Sequence, residues 1–206
     1  MRVKAVEFEV TYINLREKPD WFLEISPHGK VPVLQVDGQP LFESNAIAEY
    51  LDEVVAPRLH PEDPILRARH RAWTDFVPTF ASSLSVYYGK TSEVVEQRLT
   101  DARAKLDKLT EALAQDALSG PFFGGRELCL VDAAYAPFLQ RFVLADGWLK
   151  TDLLDEYPQI AEWSAALLND QRVIGSVPDN FEEEFISNLR RRESYVANLI
   201  PQVAAG

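Results

Sequence analysis

The sequence predicts two units of different class: a small α/β unit over residues 1–54 and an all-α unit over residues 65–206. Three observations carry this expectation. Strand-type alternation and an Asp-Gly turn occur before residue 43, three prolines crowd residues 55–64, and the chain beyond them repeats its apolar residues at helical spacing.

The elements follow in order. Val6-Glu7-Phe8-Glu9-Val10 alternates apolar and acidic side chains, the two-residue period of a half-buried strand. Val31-Pro32-Val33-Leu34-Gln35-Val36 and Gln39-Pro40-Leu41-Phe42 flank Asp37-Gly38. Both residues of such a turn take positive φ, so residues 31–42 are read as a β-hairpin. Ser44 follows directly, and Ala46, Ile47, Tyr50 and Leu51 recur at helical spacing, which makes Ser44 the N-cap of a helix to about Val54. Residues 55–64 are the linker. A helix runs from Ile65 to about Tyr88, with Pro78 inside it as a kink. Val95, Leu99, Ala102, Leu106, Leu109 and Leu113 form one stripe on the next helix, which Gly120-Pro121 and Gly124-Gly125 end. Further helices are expected at about 131–146, 157–169 and 179–199, the last opening with Glu182–Glu184 and closing with Arg190–Arg192, as the helix dipole favours.

Composition bounds the function. With 47% hydrophobic and 26% charged residues, 206 residues are ample for a soluble core, and no uncharged apolar run nears the roughly 18 residues of a membrane span. No membrane partner is expected. Twenty-one basic against 32 acidic residues give a net charge of −11, the wrong sign for holding phosphates, so no nucleic acid is expected either. Cys129 is the single cysteine and Met1 precedes no basic-then-apolar leader, which together place the protein in the cytoplasm. His28, His60 and His70 show no metal-ligand spacing, and no metal site is expected.

The chemistry-bearing stretch is Ser26-Pro27-His28-Gly29-Lys30-Val31-Pro32-Val33-Leu34, with Glu43-Ser44 eleven residues after Pro32 at a strand-to-helix junction. Together with the Pro-rich linker and the helical remainder, "SPHGKVPVL … LFESNAIAEYLDE" resembles the cytosolic glutathione transferase superfamily, in particular its omega-like and bacterial members. The resemblance covers nearly the whole chain. It implies a thioredoxin-like, glutathione-binding domain over residues 1–54 and the all-helical domain of the glutathione transferase fold over residues 65–206. It also implies a cis Val31–Pro32 peptide, with the Val31 backbone pairing with the cysteinyl unit of glutathione and Pro32 as geometric support. Ser44 and the helix amides would receive the γ-glutamyl carboxylate, Glu43 its ammonium, and Lys30 the peptide backbone or glycyl carboxylate. Taken singly, each residue has another reading: Ser44 as a cap without ligand, Pro32 as an edge-strand proline, Lys30 and Glu43 as solvated charges. Their joint spacing carries the functional one.

In Leu128-Cys129-Leu130-Val131-Asp132, the resemblance implies a helix capping box in which Asp132 accepts from the N-cap amide and Cys129 stands where the family places a hydroxyl. Cys129 is therefore read as structural, since a reactive thiol needs an electropositive, open setting. Trp73, Phe76, Phe80, Tyr87 and Tyr88 are candidates for the wall of a pocket for an apolar electrophile, or for core.

The resemblance departs at the start. The family opens with a strand, a turn bearing the catalytic Ser, Cys or Tyr, and a helix, whereas here only Met1-Arg2-Val3-Lys4-Ala5 precedes Val6. Residues 2–5 resemble the end of that helix, so an N-terminal stretch carrying the first strand and the catalytic turn is expected outside this sequence; the alternative is a shortened domain whose gap a partner chain fills. Either way the catalytic residue is unassigned, and Val6–Val10 and the hairpin lack the strand that would bridge them. The function expected from the resemblance is a transferase in which the thiolate of glutathione, as co-substrate, attacks an electrophilic small molecule or a disulfide, in a homodimer pairing the α/β domain of one chain with the helical domain of the other. The alternative is a non-catalytic adaptor or ligand-binding protein of the same fold.

Overall fold

The hairpin is the only sheet among the described residues, β1 (Val33–Val36) pairing antiparallel with β2 (Gln39–Phe42). The structure, a computed structural model, describes residues 1–115 and 120–201. Asp37 and Gly38 turn with φ of 48° and 79°, as the Asp-Gly pair predicts. Such a turn makes Val36 and Gln39 a hydrogen-bonded pair, so by alternation Gln35 faces Pro40 across a pair without ladder bonds. The missing N–H of Pro40 therefore costs the ladder nothing.

The strand expected over Val6–Val10 does not form. Residues 6–14 carry no regular secondary structure, and Phe8, Val10 and Tyr12 are 37%, 56% and 71% exposed. Alternation creates a strand only where a neighbour accepts its backbone groups, and no neighbour lies beside it among the described residues. Arg2–Lys4 make one 3₁₀ turn. The helix α1 (Asp20–Ile25) was not legible, because six residues are too few to show a period; it buries Phe22.

Helix α2 (Ser44–Val54) ends where the spacing predicts, but its start differs. Glu43 occupies the cap position and Ser44 is the first helical residue, with no side-chain capping bond. A buried ion pair closes the other end of α2. Lys4 Nζ lies 2.9 Å from Asp52 Oδ1 and donates to the carbonyls of Val55 and Pro57 at 2.6 and 2.7 Å, while Asp52 accepts the N–H groups of Leu59 and His60. Burial opposes ionisation of Asp52, but the Leu59 N–H, the Lys4 ammonium and the His60 N–H outweigh it and hold its carboxyl below the usual range.

The helical part contains α3 (Pro64–Leu84), α4 (Ser92–Gln115), α5 (Leu130–Leu149), α6 (Pro158–Asn169), the single turn α7 (Gln171–Ile174) and α8 (Phe181–Arg191). Pro78 lies inside α3, which gives way to a 3₁₀ turn over Ser85–Tyr88. On α4, Val95, Leu99, Ala102, Leu106 and Leu109 are buried as their stripe predicts, and Leu113 is half-buried. Helix α4 is described to Gln115, and residues 116–119, between it and the Gly120-Pro121 expected to end it, lie outside the described residues. The core runs through Phe80, Tyr135 and Trp163, with ring centroids 4.8 and 5.4 Å apart in succession. The helix expected over 179–199 is two elements: Glu193 takes φ 52° and Ser194 N–H returns to Leu189 C=O at 3.1 Å, stopping α8 before a 3₁₀ turn at Tyr195–Asn198. No glycine marks this stop, so no residue type announced it. The chain divides into two compact units, Met1–Arg67 and Ala68–Gly206. No helix among the described residues is long and apolar enough to cross a membrane.

Candidate functional site

The hairpin register brings the motif residues together. Because Val33 pairs with Phe42, Val31 and Ser44 lie two residues beyond that pair on opposite strands, at the same open end of the hairpin. Lys30 and Glu43 join them there, and all four side chains are exposed.

The loop entering β1 is held by Ser26, whose Oγ donates to the Lys30 carbonyl at 2.9 Å and accepts the Lys30 N–H at 3.0 Å. Gly29 sits inside this turn at φ 58°, a conformation that suits glycine. The Val31–Pro32 peptide is cis. Among the described residues no hydrogen bond engages the N–H or C=O of Val31, and its side chain is 48% exposed. His28 packs edge-on against Phe42, with centroids 5.5 Å apart, and fixes the loop against β2.

At the start of α2, Glu43 adopts φ 64° and ψ 118°. A residue with a β-carbon holds such a conformation at a cost of about 1–3 kcal/mol, and strain of this kind gathers at ligand sites. Its carbonyl still accepts the Ile47 N–H at 3.0 Å, so the helix begins normally behind it. The Glu43 side chain makes no capping bond at the start of α2, and the Ser44 hydroxyl makes no hydrogen bond among the described residues. An exposed helix N-terminus with a free hydroxyl beside it is an arrangement that receives a carboxylate. Reading Ser44 as an N-cap is overturned by this geometry.

One cation near the site was missed by the sequence reading. A Cβ added at Gly29 would lie 3.6 Å from Lys18 Nζ, so the Lys18 ammonium hangs over the loop that presents Lys30. Lys18 lies twelve residues before Lys30 with α1 between them, and no local spacing connects the two.

The second marked cluster is closed. Asp132 Oδ2 accepts the Cys129 N–H at 2.8 Å, and Oδ1 accepts the Phe123 N–H at 2.9 Å and the Trp163 indole N–H at 2.6 Å. Asp132 is fully buried, so it ties the start of α5 to the 122–125 turn and to α6. Burial, then the neighbouring Asp132 charge, pushes the Cys129 thiol up, which keeps it protonated and unreactive. Of the five pocket candidates, Phe80 and Tyr87 are core: Phe80 packs on Tyr135, and Tyr87 packs between Tyr88 and Phe185. Trp73 and Phe76, edge-to-face at 5.6 Å, and Tyr88 stay half-buried. Among the described residues no group of three or more His, Cys, Asp or Glu could hold a metal.

Comparison with known proteins identifies the family of the chain. Residues 1–54 match the family model described as glutathione S-transferase, N-terminal domain, and residues 92–166 match the C-terminal domain. Glutathione S-transferase U19 of Arabidopsis thaliana is 30% identical over 200 residues, covering 93% of this chain and 88% of that protein. The Tau class transferase of mango superposes with a TM-score of 0.80 at 25% identity, over 92% of this chain and 89% of the other. A rice transferase solved in complex with glutathione shares the fold, with a TM-score of 0.74 at 24% identity over 92% of this chain and 90% of that one. The chain therefore belongs to the cytosolic glutathione S-transferase superfamily, joining the family's thioredoxin-like N-terminal part to its helical C-terminal domain.

Proposed function

We propose that the protein is a glutathione transferase that binds glutathione, as co-substrate, at the open end of the hairpin. The observation that carries the reading is the uncapped start of α2, where a free Ser44 hydroxyl and a strained Glu43 stand beside the unengaged Val31 backbone. Ser44 and the first amides of α2 receive the γ-glutamyl carboxylate, and Glu43 faces its ammonium. The Val31 N–H and C=O pair with the cysteinyl unit in strand fashion, Pro32 shapes the loop, and Lys30 and Lys18 meet the glycyl carboxylate. Residues 1–54 act as the glutathione-binding domain, 55–64 as the linker and 65–206 as the helical domain, in a cytoplasmic homodimer.

The chemistry follows from fixing the tripeptide. Held along its backbone, glutathione presents its thiolate to an apolar electrophilic small molecule; a sulfur–carbon bond forms and the leaving group departs with the bonding pair. With a disulfide substrate a new S–S bond forms and the second sulfur leaves as thiolate. Half-buried Trp73 and Phe76 are the aromatic surface that the helical domain offers the apolar partner. No residue of this chain is assigned to lowering the thiol pKa.

Titration calorimetry with glutathione tests the reading. The unmodified protein binds glutathione, and Ser44→Ala weakens binding about tenfold, the loss expected for one hydrogen bond to a charged group. Turnover of a chloronitroarene and of a mixed disulfide then separates conjugation from thiol transfer. An absence of heat at millimolar glutathione would sink the proposal and leave the adaptor or ligand-binding role.

A further inference from the structure

Glu43 is the single residue between β2, which ends at Phe42, and α2, which begins at Ser44. A one-residue joint has no slack, so its φ and ψ are dictated by where the two flanking elements are held. The hairpin ladder holds one side, through the Val33–Phe42 pair. The other side is a helix with neither glycine nor proline between Ser44 and Val54, so it has no hinge and moves as a rod. The far end of that rod is fastened. Asp52, 4% exposed, lies 2.9 Å from Lys4 Nζ and accepts the Leu59 N–H at 2.6 Å and the His60 N–H at 3.2 Å. One turn earlier, Glu49 Oε1 lies 2.6 Å from His60 Nε2. Asp52 stands about 14 Å along the helix axis from Glu43. A residue with a β-carbon keeps φ 64° only where the surrounding structure over-determines it, and the Glu43 side chain makes no capping bond that would hold it there.

We propose that Asp52 is a positioning residue for glutathione, acting through Glu43 from the opposite end of α2. Fastening the last turn to Lys4 and to the backbone of residues 59–60 fixes the rod along its axis, and the joint at Glu43 takes the conformation that remains. With the fastening released, α2 shifts and Glu43 relaxes into an ordinary backbone conformation. Ser44 and the Glu43 carboxylate then leave their places beside Val31. The effect on glutathione rests on the reading given under Proposed function; the hold of Asp52 on Glu43 does not.

Thermal melts of the full chain without ligand test that hold, through the double-mutant cycle of Glu43→Gly and Asp52→Asn. In the unmodified protein, glycine relieves the strain and raises the melting temperature by about 2–4 °C. On the Asp52→Asn background the strain is already gone, so the same change shifts the melt by less than about 1 °C. Sites this far apart ordinarily add, so an equal gain on both backgrounds overturns the inference. Should Asp52→Asn fold poorly, Lys4→Met takes its place in the cycle, removing the cation while both backbone N–H bonds to Asp52 remain. Calorimetry with glutathione, well below the melting transition, reads the positioning. Asp52→Asn weakens binding about three- to tenfold, and the double variant binds within about twofold of Glu43→Gly alone, because the two losses share one cause. Val95→Ala, a core change on α4, lowers the melting temperature and leaves affinity unchanged, which separates positioning from stability. If Asp52→Asn melts lower yet binds glutathione as the unmodified protein does, Asp52 is structural only and the inference is overturned. If the unmodified protein gives no heat with glutathione, the positioning role falls together with the glutathione reading, and the melts still decide whether Asp52 sustains the strain at Glu43.

Discussion

Two helix starts in this chain solve the same problem in opposite ways. At α5, the first turn is buried and its surroundings are satisfied from within: Asp132 collects the N–H groups of Cys129, Phe123 and Trp163. At α2, the helix begins at an exposed Ser44 whose hydroxyl is uncommitted, the Glu43 side chain makes no capping bond, and Glu43 is strained. A buried polar group must be partnered by the fold itself, whereas an exposed one can be left for a ligand. The contrast separates residues that hold the molecule together from residues that await something outside it, although both pairs read alike as capping signals.

The sharpest way to break the contrast is at α5. Asp132→Ala strands three buried donors, each costing about 1–3 kcal/mol, so the melting temperature falls by about 10 °C or more. Asp132→Asn keeps an acceptor and loses less. If thermal melts show Asp132→Ala to be neutral, the α5 start is not the structural one. Glutathione affinity, read by calorimetry below the melting transition, is expected to be unchanged in the alanine variant that remains folded.

Helix α2 contains the same contrast within itself, since its far end is closed by Lys4 and Asp52. Removing one partner of a buried pair leaves the other charge uncompensated, so Lys4→Met costs about 3 kcal/mol. The pair also carries a pH dependence. The folded-state pKa of Asp52 lies below its unfolded value, so its contribution is fully present above the ordinary carboxylate range and is lost as pH falls through the folded value. Denaturant melts between neutral pH and pH ~3 are expected to show an acid limb that Asp52→Asn flattens.

These positions also show how far the sequence could be read. The hairpin was legible because Asp37-Gly38 is a turn signal needing no tertiary context, and the α4 stripe because Val95 to Leu109 repeat over several turns. The motif residues Lys30, Val31, Pro32, Glu43 and Ser44 were legible as a set through their spacing. What escaped depends on groups meeting across long separations. Lys4 and Asp52 are 48 residues apart in the chain, Trp163 reaches Asp132 from 31 residues away, and Lys18 reaches Gly29 across α1. Val6–Val10 misled because alternation reports which side chains could face a core and says nothing of whether a neighbouring strand exists.

The strain at Glu43 offers a smaller test in which stability and binding move in opposite directions. Glycine adopts φ 64° without the β-carbon penalty, so Glu43→Gly raises stability by about 1 kcal/mol, or about 2–4 °C in melting temperature. The same change removes the carboxylate that faces the γ-glutamyl ammonium, and glutathione affinity falls by about tenfold. A variant that loses stability would mean that the Glu43 side chain supports the fold, which would place α2 in the same class as α5.

The smallest expected effect is the most telling. A serine acting as helix cap contributes about 1 kcal/mol, and its replacement by alanine lowers the melting temperature of a chain this size by about 2–4 °C. Ser44 makes no such bond, so Ser44→Ala is expected to melt within about 1 °C of the unmodified protein, as an uncommitted surface hydroxyl should. Glutathione binding then supplies the only readout that moves. If the melting temperature falls by the amount of a lost cap and glutathione affinity does not change, the open start of α2 is open only to water, and the two helix starts differ in burial but not in purpose.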